Sequence, residues 1–289
     1  MAEPAQLLSS AQVAQFVALG YLRFDGLVDA SLNEAFVREY EAGPPQPPAA
    51  GTPLPQCYPP DSAVGRVLAL PRVAGAIESL MGPEPRFDHH FYHVKQGRDA
   101  YPQPLHQDST VDPRIAFDIQ LMYFPEQVTE RMGGTRFVSG SHLRLVNEQS
   151  IARYQNIVGQ QRVACSAGTL LVMHHGIWHG AGRNQTDRRR IMFKLRLGAS
   201  QSQARRWDMR DLRPRDLQPQ PIFTGHMPDP SNIQTILCTP EPWYEGDTMR
   251  LEFINRIRLW RYLLGDPSAD ANYWLTRLEN TPGAARPSA

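Results

Sequence analysis

The 289-residue chain reads as a mainly β fold with flanking helices, its core an antiparallel barrel or jelly roll. Between about 86 and 198, the runs "RFDHHFYHV", "IAFDIQLMYF", "TRFVS", "GTLLVMHH" and "RIMFKLRLG" are rich in β-branched and aromatic residues, and Gly, Pro, Asp or Asn bounds them. Helical periodicity is confined to the two ends, so there is no strand–helix alternation to build a parallel sheet.

At the N-terminal end, Ser9 or Ser10 can cap a first helix whose Val13, Phe16 and Val17 share a face and which stops at Gly20. An extended "YLRFDGLVD" follows. Ser31 is the expected cap of a second helix, with Leu32, Phe36 and Tyr40 four apart and Gly43 as its end. Residues 44 to 60, "PPQPPAAGTPLPQCYPP", hold too many prolines for helix or sheet. Such a loop serves as a lid or is a tolerated surface insertion. Helical spacing returns over 61–81 and is interrupted at Pro71.

Beyond the strands, 199–245 reads as irregular and proline-rich. A helix capped by Asp247 is expected to about 264, and a short one near 270–278. No internal repeat is present. The expectation is one domain over 1–289, helical to about 84, with the strand core at 85–198 and an irregular and helical remainder.

The balance of charges, formally +1, supplies no global field for nucleic acid or an anionic membrane. A small-molecule substrate is the expected partner. Three scattered cysteines without a CxxC spacing argue against a disulfide framework and a cysteine zinc site. "MAEPAQLLSS" lacks a basic stretch followed by an apolar one, so no secretory signal is expected. No apolar run approaches the roughly 20 residues of a bilayer span. A reducing, cytoplasmic location is the default expectation.

Eight of the nine histidines lie between positions 89 and 179. In "PLHQDST", His106 and Asp108 are two apart, so on an extended segment both point to one face. An imidazole and a carboxylate so placed, joined by one distant histidine, make the facial triad of non-heme Fe(II) oxygenases. The pair alone reads equally as a polar loop. The stretch 168–198 offers three candidates for the distant ligand: His174, His175 and His179.

In combination, these residues resemble the phytanoyl-CoA dioxygenase family of iron(II)- and 2-oxoglutarate-dependent oxygenases. "LHQDS" is similar to the family's histidine-x-aspartate motif. His179, "GAG", Asn184 and Arg190 follow its second motif, with an asparagine five places and an arginine eleven places after the histidine. "GGTRFVSGSH", 133–142, is similar to its glycine-rich turn, and "GYLRFDGLVD" has the look of its opening. The likeness covers most of residues 10–198 and none of the last 90.

What the resemblance implies is specific. The core would be a double-stranded β-helix (jelly-roll, cupin-like), with His106, Asp108 and His179 as iron ligands. Arg190 would clamp the distal carboxylate of the cosubstrate 2-oxoglutarate, where a planar guanidinium suits a bidentate contact. Dioxygen would be the co-reactant, and succinate and carbon dioxide the by-products. A carboxylate ligand favours hydroxylation or a related C–H oxidation, because halogenating relatives lack it. His174 and His175 would then support the site rather than ligate, and His142 would close its turn.

Pattern adds further candidates. After Arg190, the residues Ile191, Phe193, Leu195 and Leu197 alternate with Met192, Lys194 and Arg196, giving one apolar and one largely polar face. Arg188 and Arg189 read as a solvated turn. Gln120 shares a face with Met122 and Phe124 and is a candidate for the cosubstrate pocket. Phe91, His93 and Trp178 are candidates for substrate contact, His90 for the barrel surface, and Lys95 for either the cosubstrate or solvent. Trp207, Phe223, Trp243 and Tyr244 could form an apolar wall or plain core. The substrate's identity is not written in these motifs, and specificity is expected in 44–60, 199–245 and the C-terminal helices. Two rivals stand beside the oxygenase: a non-catalytic jelly-roll binding protein, and a cupin-like metal enzyme that does not use 2-oxoglutarate. The latter has no need of Arg190.

Overall fold

Strand alternation divides the interior into two cores on either side of one sheet. The computed structural model describes residues 6–108, 112–144, 146, 151, 156–217, 231–246 and 249–270. In chain order these hold α1 (Ser10–Leu19), β1 (Tyr21–Phe24), α2 (Ala30–Ala42), α3 (Ala63–Ala69), α4 (Pro71–Met81) and β2 (Arg86–Lys95). Then come β3 (Ile119–Phe124), β4 (Thr135–Phe137), β5 (Gln161–Arg162), β6 (Thr169–His174), β7 (His179–Ala181) and β8 (Arg190–Gly198). Two helices close the described chain, α5 (Ile233–Cys238) and α6 (Met249–Leu264).

The larger sheet has the order β1-β6-β3-β8-β2 and the smaller one β5-β4-β7. Every pairing within them is antiparallel. Among the described residues helical residues outnumber strand residues and no barrel closes, so the fold is mixed α/β with antiparallel sheets rather than mainly β.

On one face of the larger sheet, Leu121, Tyr123, Val172, Phe193, Leu195 and Leu197 pack against helical residues from both ends of the chain, among them Phe16, Phe36, Leu80 and Trp260. Each such fully buried side chain contributes ~1.5–3 kcal/mol of burial energy. On the opposite face, Met122, Phe124, Leu171, Met173 and Met192 meet Phe137, Val163 and Ile177 from the direction of the smaller sheet. The polar residues of β8 share this second face, where the site lies.

Local signals explain the helix boundaries. Ser9 and Gln12 form a reciprocal capping box at α1. Gly20 ends α1 at φ 79°, and a Cβ there would come within 2.5 Å of His142 Nδ1. Pro71 opens α4, where its missing N–H costs nothing. The cap of α2 is Asp29 rather than Ser31. The helix begins two residues earlier than expected, the Asp29 carboxylate accepts from the Leu32 amide, and the Ser31 hydroxyl donates to Asp29 at 2.6 Å.

The proline-rich loop is anchored to the first residues of β2, with Gly51 and Phe87 exchanging main-chain hydrogen bonds with Phe87 and Thr52. It thereby covers part of an exposed sheet edge. Tyr58 at its end is buried and sits 2.6 Å from His90 Nδ1. His90 is therefore interior and not at the surface, because alternation turns it toward the helical layer.

The stretch 199–245 is less irregular than its prolines imply. It contains α5, capped by Asn232, whose side chain accepts from Gln234 and Thr235. Trp207 donates to Ser10 Oγ at 3.1 Å and packs on Trp260, which ties the C-terminal region to α1. The helix expected at 270–278, the Asp247 cap and Phe223 lie outside the described residues. No helix among those described is long and apolar enough to cross a membrane.

Candidate metal centre and its cavity

Two segments far apart in sequence are stitched together to make the centre. His106 and His179 form an isolated antiparallel bridge, each amide donating to the other's carbonyl at 2.9 Å. Their rings lie 4.5 Å apart between centroids. Asp108, two residues along, brings Oδ1 to 3.3 Å from His106 Nε2 and Oδ2 to 3.7 Å from His179 Nε2. One ligand atom from each of the three lies within 4.8 Å of the others.

Hydrogen bonding fixes which nitrogens are free. His106 Nδ1 lies 3.0 Å from the Pro104 carbonyl, and His179 Nδ1 lies 3.0 Å from the Ile177 carbonyl. A carbonyl only accepts, so both Nδ1 atoms carry the proton and both Nε2 lone pairs face the centre. Burial pushes His179 down to about 4, which keeps it neutral. At His106 burial acts the same way, but the hydrogen bonds to Asp108 and Pro104 and the Asp108 charge together outweigh it, and the net direction is upward.

Burial also opposes ionisation of Asp108. His106, His179 and Lys194 overcome it and hold the carboxyl well below the usual carboxylate range. Its Oδ2 accepts from Gln120 Nε2 at 2.7 Å and from Lys194 Nζ at 2.9 Å, while Arg196 holds its main-chain oxygen at 3.0 Å. Two imidazoles with Nε2 turned to the centre and an oriented carboxylate are the donor set that suits a divalent first-row metal such as iron. The residues fit the group.

A cavity of about 400 Å³ opens beside this centre, lined by residues that include His106, His179, Lys194, His93, Thr135 and Arg190. Arg190 is 1% exposed, and its Nε and Nη1 have no hydrogen-bond partner among the described residues. Burial pulls its guanidinium down to about 10, against the pull of Asp99. A buried, unpaired cation in a cavity calls for an anion.

Asn184 explains how Arg190 comes to be there. Its Nδ2 donates to the carbonyls of Gln96 and Arg188 at 3.0 and 2.7 Å, and its Oδ1 accepts from Thr186. The turn between β7 and β8 is thus pinned to the end of β2, and β8 starts with Arg190 opposite Lys95.

The stretch that carries the triad and Arg190 matches a known family: residues 57–192 fit phytanoyl-CoA dioxygenase. Residues 57–192 thus carry a match to the phytanoyl-CoA dioxygenase domain. Members of this family use Fe(II), 2-oxoglutarate and dioxygen and act on small molecules.

Among solved structures, the chain is similar to SnoK, a non-heme α-ketoglutarate-dependent carbocyclase from nogalamycin biosynthesis. The TM-score is 0.53 at 20% identity, over 69% of this chain and 87% of that one. HygX from Streptomyces hygroscopicus, with nickel and 2-oxoglutarate bound, gives 0.53 at 16% identity over 67% and 87%. EctD from S. alaskensis, in its apoform, gives 0.51 at 19% over 66% and 77%. At these identities the likeness is one of fold. Two uncharacterised proteins from Mycobacterium bovis and Mycobacterium tuberculosis are 31% identical over 97 residues, which is 32% of this chain and 33% of each of theirs.

Within the matched stretch, the other candidate residues fall into distinct places. His93 lines the cavity with Nε2 unpartnered among the described residues, and burial with the nearby Lys194 pushes it down to about 4. Phe91 shares its strand face but stands 57% exposed and outside the lining. Gln120 does not line the cavity and instead holds Asp108.

Trp178 is turned away. Next to His179 on the chain, it faces the other side and packs on Trp243 in a cluster with Leu105 and Val138. His174 and His175 are buried and stacked on each other, 4.8 Å apart. His174 Nδ1 accepts from the Gly176 amide, and His175 Nδ1 lies nearest the Asp118 amide at 2.9 Å. His174 therefore carries its proton on Nε2, the reverse of His106 and His179, whereas His175 Nδ1 also lies 3.2 Å from the Asp118 carbonyl. Lys95 is paired with Asp99 at 3.0 Å at the cavity wall. Sequence reasoning passed over Lys194, although the polar face of β8 contained the signal.

Proposed function

We propose that the protein is an Fe(II)- and 2-oxoglutarate-dependent dioxygenase that oxidises a C–H bond of a small organic molecule, hydroxylation being the outcome favoured. Arg190 carries this reading. Its guanidinium is 1% exposed, lacks a partner among the described residues on two nitrogens, and lines the cavity that holds His106 and His179. A cupin-like enzyme without a dicarboxylate cosubstrate would leave that cation buried to no purpose. A binding protein without turnover would have no need of the Asp108 carboxylate held ionised between two free imidazole nitrogens.

His106, Asp108 and His179 would hold the iron, and the two sheets are read as the halves of a double-stranded β-helix within one domain. Bound iron with its cosubstrate supplies the oxidising chemistry, in which 2-oxoglutarate and dioxygen are consumed and succinate, carbon dioxide and the oxidised product are released. This chain's residues do the rest. Arg190 receives the distal carboxylate, and its confinement by β8 and the Asn184 turn sets the depth at which the cosubstrate sits. Met122 and Met192 keep the cavity wall apolar and limit water. Neutral His93 lines the cavity, and exposed Phe91 beside it on the same strand face would meet a substrate approaching along β2.

The test is anaerobic addition of Fe(II) and 2-oxoglutarate to the wild type and to Arg190→Ala. The expected result is a visible charge-transfer band in the wild type that is lost or needs far more cosubstrate in the variant. A wild type with full iron occupancy and no band would sink the reading.

A further inference from the structure

Asp108 Oδ2 is engaged twice before any metal arrives. Gln120, fully buried on β3, donates to it at 2.7 Å, and the Lys194 ammonium on β8 donates at 2.9 Å. The two strands are neighbours, and Gln120 lies opposite Arg196, which holds the Asp108 carbonyl at 3.0 Å. Oδ1 has a different environment, 3.3 Å from His106 Nε2. The carboxylate is therefore asymmetric: Oδ2, 3.7 Å from His179 Nε2, is also held by two strand side chains, whereas Oδ1 faces His106 alone.

We propose that Lys194 and Gln120 are positioning residues that restrict Asp108 to one-oxygen ligation of the metal, leaving the adjacent coordination positions open for the cosubstrate. The inference rests on the reading of His106, Asp108 and His179 as metal ligands. A carboxylate free to rotate can chelate a metal through both oxygens and occupy a position that a bidentate keto-acid needs. The ammonium and amide prevent this by holding Oδ2 away in a geometry fixed by β8 and β3.

Lys194 also has an electrostatic effect opposite to that of an ordinary supporting residue. A cation close to the centre repels a divalent metal, so its contribution cannot be to tighten metal binding. Its role is to keep the site open at some cost in metal affinity. Lys194 further lines the cavity, where its charge favours the doubly negative cosubstrate.

The experiment compares wild type with Lys194→Met, Lys194→Arg and Gln120→Leu. Ni(II) binding is measured by titration calorimetry, Co(II) loading by visible absorption, and 2-oxoglutarate binding on the Ni(II) form. Methionine matches the length and volume of the lysine stem, and Gln120→Leu provides a second route to the same effect without removing the charge.

In Lys194→Met, Ni(II) affinity is expected to hold or rise, while 2-oxoglutarate affinity falls by about tenfold or more, the scale typical of losing a partner of a metal ligand. The Co(II) bands are expected to weaken as the coordination number increases, with Lys194→Arg restoring the wild-type spectrum and Gln120→Leu shifting it in the same direction as Lys194→Met. A Co(II) spectrum unchanged in both Lys194→Met and Gln120→Leu would overturn the proposal, as would a Ni(II) affinity in Lys194→Met as low as that of Asp108→Ala. A wild type that binds neither Ni(II) nor Co(II) would instead overturn the ligand assignment beneath it.

Discussion

His106 and His179 are joined by two reciprocal main-chain hydrogen bonds of 2.9 Å, so neither backbone can shift without the other. The bridge sets the ring separation before any metal is present, and the Nδ1–H donations to Pro104 and Ile177 fix the ring orientations. Preorganisation of this kind removes ordering entropy from the binding step.

Histidine substitutions therefore separate sharply. His179→Ala is expected to abolish tight Ni(II) or Fe(II) binding. His174→Ala and His175→Ala are expected to weaken it by less than about tenfold, since both rings lie outside the cavity lining with Nδ1 engaged by main-chain groups. Metal content per chain after loading and desalting measures this. Loss of metal in His175→Ala alone would show the third ligand to be misassigned.

Gly180 is a second sensitive position. A Cβ there would fall 2.6 Å from the Pro104 carbonyl oxygen and 2.7 Å from that of Gln103. Gly180→Ala must push away the segment that leads into His106, at a stability cost of ~1–3 kcal/mol typical of overpacking. The expected signature is a lowered Tm together with weakened metal binding. Full metal affinity in a stable Gly180→Ala protein would contradict this packing.

Asn184 acts at a distance from the centre. Asn184→Ala removes two donations and one acceptor from a buried turn, which is worth ~2 kcal/mol of stability. Because the turn sets where β8 begins, the KM for 2-oxoglutarate is expected to rise more than kcat falls. Steady-state kinetics at saturating substrate would read the split.

Acid stability should depend on buried histidines remote from catalysis. Burial pushes His142 from 6.5 down to about 3. It holds His174 well below its ordinary value, and the rings are 4.9 Å apart. The unfolded chain binds protons at both below about pH 6.5, while the folded chain resists. Stability is therefore fully present above that pH and declines as pH falls toward 3, by up to ~1.4 kcal/mol per pH unit for each histidine. Denaturant titrations from pH 8 to 4 should show this decline, and His142→Phe should flatten it.

The parts of the site legible in the sequence were those set by local geometry. The two-residue spacing of His106 and Asp108, and the alternation after Arg190, need only the strand repeat to be read. What stayed hidden depends on pairing between distant strands. Nothing local says that Gln120 meets Asp108 rather than the cosubstrate, since that follows from β3 lying beside β8. Trp178 was a substrate candidate by its place beside His179, yet adjacency on a strand means opposite faces. The burial of His90 depended on Tyr58, delivered by a loop whose prolines revealed its irregularity but not its course. The shift of the α2 cap from Ser31 to Asp29 shows that two good capping residues in one turn cannot be ranked by type alone.

In β8, whether a position is odd or even matters as much as which residue fills it. Arg190, Met192 and Lys194 line the cavity and Arg196 holds the Asp108 carbonyl, while Phe193, Leu195 and Leu197 serve the helical layer. A point change here degrades one side by degrees. Deleting a single residue would exchange the two sets at once, sending Phe193 and Leu195 toward the metal and charged groups into the apolar layer. The strand thus behaves as a reading frame, and descendants of this chain can change its letters singly but can add or remove residues only in the turns that bound it.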